Sequence, residues 1–236
     1  MKQPACTTRH VASRGFSLVE LMVAIVIGLI VVAAALSFFS HHWRESRAVQ
    51  IELRLMQDLR SAADLIGRDL RRAAYWGNSA AGVWQRDANT VALNPYAELT
   101  YAAPSATSSA VAFSYSRDAA ENHTIDSNEQ FGFRLRAGVV EFLLGLGNWQ
   151  ALTDANTVTI TSFTVTPSVQ SVSLDGMCAV ACSAADLASA TCPPQQHLRS
   201  LSVQMKGHAA ADSKVQRQVE NRVRLRNDAI SGRCST

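Results

Sequence analysis

Three sets of side chains in this 236-residue sequence are of types that do chemistry, and each asks for a different element to hold it. Cys178, Cys182, Cys192 and Cys234 form an even set near the C-terminus. They could close two disulfides, with three connectivities open, or bind zinc. Their spacings of four, ten and forty-two residues contain no paired C-x-x-C knuckle, which favours disulfides in an exported chain. Asp118-x-x-Glu121 and Asp126-x-x-Glu129 gather carboxylates in a loop. Oxygen donors of that kind suit calcium, although neither stretch follows an EF-hand pattern. Glu20 stands alone at the mouth of a long apolar run. No nucleophile with a base, no phosphate-cradling glycine loop and no metal triad has usable spacing. The six histidines are dispersed, with His10 early, His41-His42 beside the apolar run, and His123, His197 and His208 isolated. No catalytic residue, cofactor or metal is expected, and the chain does not read as an enzyme.

The element that positions Glu20 is the segment Leu21 to Ser40, LMVAIVIGLIVVAAALSFFS, twenty residues without a charge. As a helix it spans about 30 Å, the thickness of a bilayer core. Lys2, Arg9 and Arg14 precede it in fifteen residues that hold no acid, so this end should stay cytoplasmic and everything beyond Ser40 should be exported. Arg44 and Arg47 on the far side weaken that bias, with Glu45 between them. A cleavable signal peptide is the competing reading, since Ala33-Ala34-Ala35 offers a small-residue cut site. Against it, the run exceeds the usual ~7–15 residues of a signal peptide. It also opens on a carboxylate, which costs about 2.5–3.5 kcal/mol near a helix centre and less near an end. Gly28 is a tolerated membrane glycine or a point of close packing or loosening.

The same three basic residues account for the formal charge of +3, because without them 19 basic residues face 19 acidic ones. A neutral remainder lacks the electrostatic footprint of a nucleic-acid binder, so no nucleic acid is expected as a direct partner.

Past the apolar run, Ile51, Leu55, Leu59, Ala62, Ile66, Leu70 and Ala73 recur in steps of three and four, one face of a helix. Arg54/Asp58, Arg60/Asp64 and Asp64/Arg68 on the other side stand at the i,i+4 spacing where opposite charges meet. Gly67 weakens the helix by about 1 kcal/mol relative to alanine, and Gly77-Asn78 should end it. The spacing therefore predicts a helix from about Phe16 to Trp76, with room for a bend between His41 and Trp43. Residues 109–116, 129–136, 156–166, 199–207 and 217–227 have strand character. The economical fold is α+β, one long helix, transmembrane in its first half, laid on an antiparallel sheet. The sequence divides into a leader at 1–15, a membrane helix at 16–40, its amphipathic continuation at 41–77 and a β-rich exported domain at 78–236. Tyr75-Trp76 reads as an aromatic plug where helix meets sheet, and Trp84 and Trp149 as packing residues.

Arg14-Gly15-Phe16-Ser17-Leu18-Val19-Glu20, followed at once by the apolar run, resembles the processing site of type IV prepilins and type II secretion pseudopilins. The resemblance implies a pilin-like fold, cleavage between Gly15 and Phe16 by a prepilin peptidase, N-methylation of Phe16 and retention of the helix. It also implies that Glu20, fifth in the mature chain, pairs with the N-terminal amine of a neighbouring subunit and sets register during assembly. Gly67-Arg68-Asp69-Leu70-Arg71-Arg72-Ala73-Ala74-Tyr75-Trp76-Gly77, Val158 to Pro167, and Val223-Arg224-Leu225-Arg226-Asn227 are similar to PilW-like minor pilins and their GspJ-type relatives. Ala74 replaces a glycine common there. On that resemblance the chain is a single-pass inner-membrane protein with a periplasmic domain, later built into a pilus. Its expected partners are prepilin peptidase, an inner-membrane assembly platform, other minor pilins and the major pilin. The alternatives are a type II secretion pseudopilin and a membrane-anchored exported binding domain.

Overall fold

The structure, a computed structural model, describes residues 15, 17–88, 90–102 and 110–235. Of the expected leader only Gly15 is among them, and Phe16 lies outside the described residues. The chain divides into two compact units, one up to Val49 and the other from Gln50 onward.

Helix α1 runs from Leu18 to Leu70, 53 residues, and passes through His41–Trp43 without a break. It ends six residues short of Trp76. Arg72 N–H to Asp69 O (2.9 Å) and Ala73 N–H to Leu70 O (3.1 Å) tighten the last turn into three-residue spacing. Ala74 then adopts a left-handed backbone (φ 61°), which turns the chain away before Gly77 is reached. Ala74 N–H and Tyr75 O are taken up by Ser114 O and Ser116 N–H, both at 2.9 Å, so the segment after the helix runs beside a strand.

Two sheets cover the helix in the second unit, where the sequence suggested one. The first is a meander of β1 (Leu99–Ala102), β2 (Ala110–Ser114), β3 (Gln130–Arg136), β4 (Val139–Leu144) and β5 (Trp149–Ala151), antiparallel throughout. The second pairs β6 (Val158–Ser173) with β7 (Gln195–Ala209) and β7 with β8 (Asp212–Arg224). The short β9 (Ala229–Ser231) lies against the start of β7. The division falls at the turn after β5. Asp154 accepts from Thr157 N–H (3.0 Å) through its carbonyl and from Asn156 N–H (2.8 Å) through its carboxylate, and the chain reverses there. Beyond it a main-chain bond from Ile160 N–H to Gly138 O (2.8 Å) joins the sheets.

All seven positions of the predicted apolar face lie in or against the core, with Ile51 at its margin. Leu55, Leu59, Ile66 and Leu70 share one cluster with Val111, Phe113, Phe131 and Phe133 of the first sheet and Phe163, Val203, Met205 and Val223 of the second. Removing each large apolar side chain from water contributes about 1.5–3 kcal/mol. Alternation along the strands supplies these residues, as in β2, where Val111 and Phe113 point inward and Ala112 outward.

The i,i+4 ion pairs expected on the other face of α1 do not close. Among the described residues, the ion pairs of the helix are His41–Glu45, Asp69–Arg72 and Glu52–Arg217, the last with Arg217 Nε 3.1 Å from Glu52 Oε1. Arg54, Arg60 and Arg68 remain in solvent. An exposed helix pair is worth only about 0.3–0.5 kcal/mol, too little to order two long side chains.

Candidate functional site

At the N-terminal end, every residue from Leu18 to Gln50 is exposed. Leu21 N–H donates to Ser17 O at 3.1 Å, which starts the helical ladder, and Glu20 lies in its first turn. A carboxylate there is favoured by the positive end of the helix dipole. Among the described residues Glu20 has no hydrogen bond and no ion pair. The helix above it is long and apolar enough to cross a membrane. The arrangement therefore offers one anionic group on an uncovered apolar rod, directly after Gly15. That chemistry suits capture of a cation in a water-poor setting and supports no bond-making reaction.

The C-terminal end of α1 is held by three asparagine amides. Asn221 Nδ2 donates to Ala63 O (3.1 Å), Asn227 Nδ2 to Ala73 O (3.0 Å) and Asn94 Nδ2 to Ala74 O (2.8 Å). The amides come from β8, the segment after it and the loop before β1, and they reach one carbonyl inside the helix, that of Ala63, and two in the turn that follows Leu70. Gly67 faces the same contact, since a Cβ there would stand 2.9 Å from Asn221 Nδ2 and 3.3 Å from Val223 Cγ2. The glycine that weakens the helix locally is what lets β8 approach.

Trp76, expected with Tyr75 to plug the junction of helix and sheet, is buried, but against loop residues such as Gly82 and His123 and outside the cluster that the helix and sheets share, with Nε1–H 3.2 Å from His123 Nδ1. Tyr75, half exposed, lies outside that cluster too. Trp84 is buried, while Arg134 lies over the half-buried Trp149 ring at 3.9 Å and pairs with Glu141 at 2.7 Å. Trp76 and Trp84 border a cleft of about 660 Å3 together with Leu93, Met177, Asp228 and Ile230.

The carboxylates singled out for calcium separate into two roles. Asp118, Asp126 and Glu129 bring oxygens within 4.8 Å of one another, while Glu121 turns elsewhere. Glu129 is fully buried, accepting from Arg117 N–H (2.6 Å) and Asp126 N–H (2.9 Å), and with Asp126 it closes a capping box. Glu121 accepts from Gly77 N–H (2.9 Å) and His123 N–H (3.0 Å). Burial would raise its pKa, but hydrogen bonds from the Ser116 hydroxyl, these two amides and the Tyr96 hydroxyl outweigh that and hold it below the usual carboxylate value. Tyr96 is fully buried with its hydroxyl 3.1 Å from Glu121 Oε1 and 3.2 Å from Glu129 Oε2. Burial first, and Glu121 second, push its phenol well above the ordinary value. Protein groups thus satisfy Glu129 and Glu121 and make them internal braces.

The four C-terminal cysteines are bonded as Cys178–Cys234 and Cys182–Cys192, each with Cα atoms 5.6 Å apart. Between them lies α2 (Ala184–Ala188), capped by Ser183, whose Oγ accepts from Asp186 N–H at 3.1 Å. The Ser235 hydroxyl donates to Asp186 Oδ2 (2.7 Å), fastening the tail to this short helix. Hydrogen bonds from Ser183 and then Ser235 hold the Asp186 carboxyl below its usual value.

Two family comparisons bear on this arrangement. Residues 11–36, which contain Gly15, Phe16 and Glu20, match the prokaryotic N-terminal methylation motif. Residues 48–225, about three quarters of the chain, match prepilin peptidase-dependent protein B. The chain belongs to the prepilin peptidase-dependent protein B family. No match was found to a curated protein or to a solved structure. The family match begins just before the helix meets its core and runs through both sheets as far as Leu225, taking in Gly67, Asn94 and Asn221. The methylation motif reaches into the exposed stretch of α1 as far as Leu36. A member of this family is a pilin-like protein that depends on a prepilin peptidase, and pilin-like families are structural rather than catalytic.

Proposed function

We propose that this chain is a PilW-like minor pilin that takes part in priming and assembling a type IV pilus. Prepilin peptidase cuts between Gly15 and Phe16 on the cytoplasmic side, and the new terminus is methylated. Residues 16–40 then hold the chain in the inner membrane with the β-rich domain in the periplasm. The chain joins other minor pilins and the major pilin at the assembly platform, near the filament tip, and supports adhesion, twitching motility or DNA uptake. Glu20 pairs with the amine of a neighbouring Phe16, and a paired charge of this kind specifies register more than it stabilises.

The observation that carries this reading is the isolated carboxylate of Glu20 in the first turn of an uncovered apolar helix, inside the stretch that matches the methylation motif. The test is the mature N-terminus, read by mass spectrometry in cells with and without prepilin peptidase. Methylated Phe16 that depends on the peptidase is expected. An intact leader, or a cut near Ala35, would overturn the reading. The presence of the chain in sheared pili supports a pilus subunit, and its restriction to a type II secretion complex makes it a GspJ-type pseudopilin instead.

A further inference from the structure

Sheet edges present unpaired main-chain groups, and soluble proteins blunt them by keeping them short or by placing charges on them. The first sheet follows this rule, since its edge strands β1 and β5 have four and three residues. So does the β8 edge of the second sheet, which carries Asp212, Lys214, Arg217, Glu220, Arg222 and Arg224. The opposite edge does not. β6 is a 16-residue edge strand, VTITSFTVTPSVQSVS, without one charged residue. Its first half is covered, with Val158, Ile160, Phe163 and Val165 in the core. Its second half, Thr166 to Ser173, is exposed at every position, and Val169 shows 57% of its surface. β7 pairs with it along this whole length, from Thr166↔Ser202 to Ser173↔Gln195. Among the described residues, no main-chain hydrogen bond reaches it from the other side. Pro167 removes one donor from the strand.

We infer that the outer edge of β6 from Thr166 to Ser173 is a docking edge that accepts an extended strand of another exported pilin-like subunit by main-chain pairing. Alternate residues of the edge offer N–H and C=O groups outward, which an incoming strand meets in kind. The absence of charge fits an uncharged segment on the partner, because no side chain on the edge could pair an ion. A second copy of this chain would present the same edge, and an edge-to-edge pair of identical strands closes as a dimer and stops. A different strand leaves the contact heterologous and the assembly able to grow. The inference rests on the assembly role proposed above.

The experiment replaces Gln170 with a photo-crosslinking amino acid in the full chain, expressed in cells that make its native assembly. Illumination is followed by mass spectrometry of the adduct, beside the N-terminal analysis described above. The expected adduct joins residue 170 to a strand segment of a different subunit that carries its own methylation motif. In a Val169→Lys, Val172→Lys background its yield falls about tenfold while both disulfides and protease resistance are retained. An adduct to a second copy, to lipid or to a protein outside the assembly overturns the inference, as does a yield unaffected by the lysines. Correct processing at Phe16 and entry into filaments without any adduct overturn the docking edge alone. Failure of processing overturns the assembly role and the docking edge with it.

Discussion

Replacing Gly67 with alanine tests whether the approach of β8 to α1 dominates the local preference of the helix. From helix propensity alone the change should stabilise by about 1 kcal/mol. The structure reverses the sign. The new methyl would stand 2.9 Å from Asn221 Nδ2, closer than real Cβ contacts allow, and 3.3 Å from Val223 Cγ2. Asn221 is the end of a side chain and could swing aside, but doing so breaks its 3.1 Å hydrogen bond to Ala63 O, a loss of about 1 kcal/mol. The crowding against Val223 adds overpacking on the order of 1–3 kcal/mol. The net expectation for Gly67→Ala is destabilisation by about 1–3 kcal/mol. The assay is denaturant unfolding of the full chain in detergent, followed by circular dichroism, with a double-mutant cycle through Asn221→Ala. In that background the nearest clash and the hydrogen bond are both gone while the crowding against Val223 stays, so the alanine should cost about 1 kcal/mol less and the coupling should reach about that value. A stabilising Gly67→Ala in the native chain, or additive effects of the two changes, would refute the reasoning.

Glu20→Ala should still insert and be processed at Phe16, yet its amount in purified filaments should fall several-fold by immunoblot; wild-type levels would count against a register role. The disulfides should differ in worth with the loops they close. Loop entropy assigns about 4 kcal/mol to Cys178–Cys234, which spans 56 residues, and about 3 kcal/mol to Cys182–Cys192, which spans 10, so Cys178→Ser should lower the unfolding midpoint more than Cys182→Ser. Glu121, whose pKa is lower when folded than unfolded, contributes stability above its unfolded value near 4.5. That contribution should disappear as pH falls through the folded value, and hydrogen exchange at Gly77 N–H should rise in the native chain only below that folded value, and at neutral pH in Glu121→Gln. Glu129→Gln should destabilise by about 1–3 kcal/mol, because one carboxylate oxygen that accepts a buried N–H becomes a donor.

The helix was legible because its signal repeats, with seven apolar positions at one spacing, and so were the five strands whose side chains alternate. β4 escaped because Val139 to Leu144 is nearly continuous in apolar character, which periodicity cannot divide between strand and helix. β5 and β9 have three residues each and exist only because longer neighbours pair with them. The split into two sheets falls at the turn after β5, and the bond that joins them links Ile160 to Gly138, twenty-two residues apart, which no local pattern encodes. At the N-terminal end the methylation motif over residues 11–36 was legible, because residue type and order define it without any tertiary contact. The buried state of Glu129 was not, although Asp126-x-x-Glu129 has the spacing of a capping box and that signal was there to find. The asparagine contacts at the end of α1 were invisible, since Asn94, Asn221 and Asn227 look like ordinary loop and strand-edge residues until the chain closes around the helix.

Those three amides also have a mechanical meaning. A subunit drawn out of a membrane or loaded within a fibre is pulled through its helix, and the pull must be handed to the rest of the domain. Three bonds that meet within twelve residues, one on the helix at Ala63 and two on the turn just past it, share that load in parallel. Rupture then requires several to give at once, whereas a helix held by apolar contact alone could slide one side chain at a time. The same arrangement should make the helix end the last part of the domain to yield under tension, with the carbonyls of Ala63, Ala73 and Ala74 as its rivets.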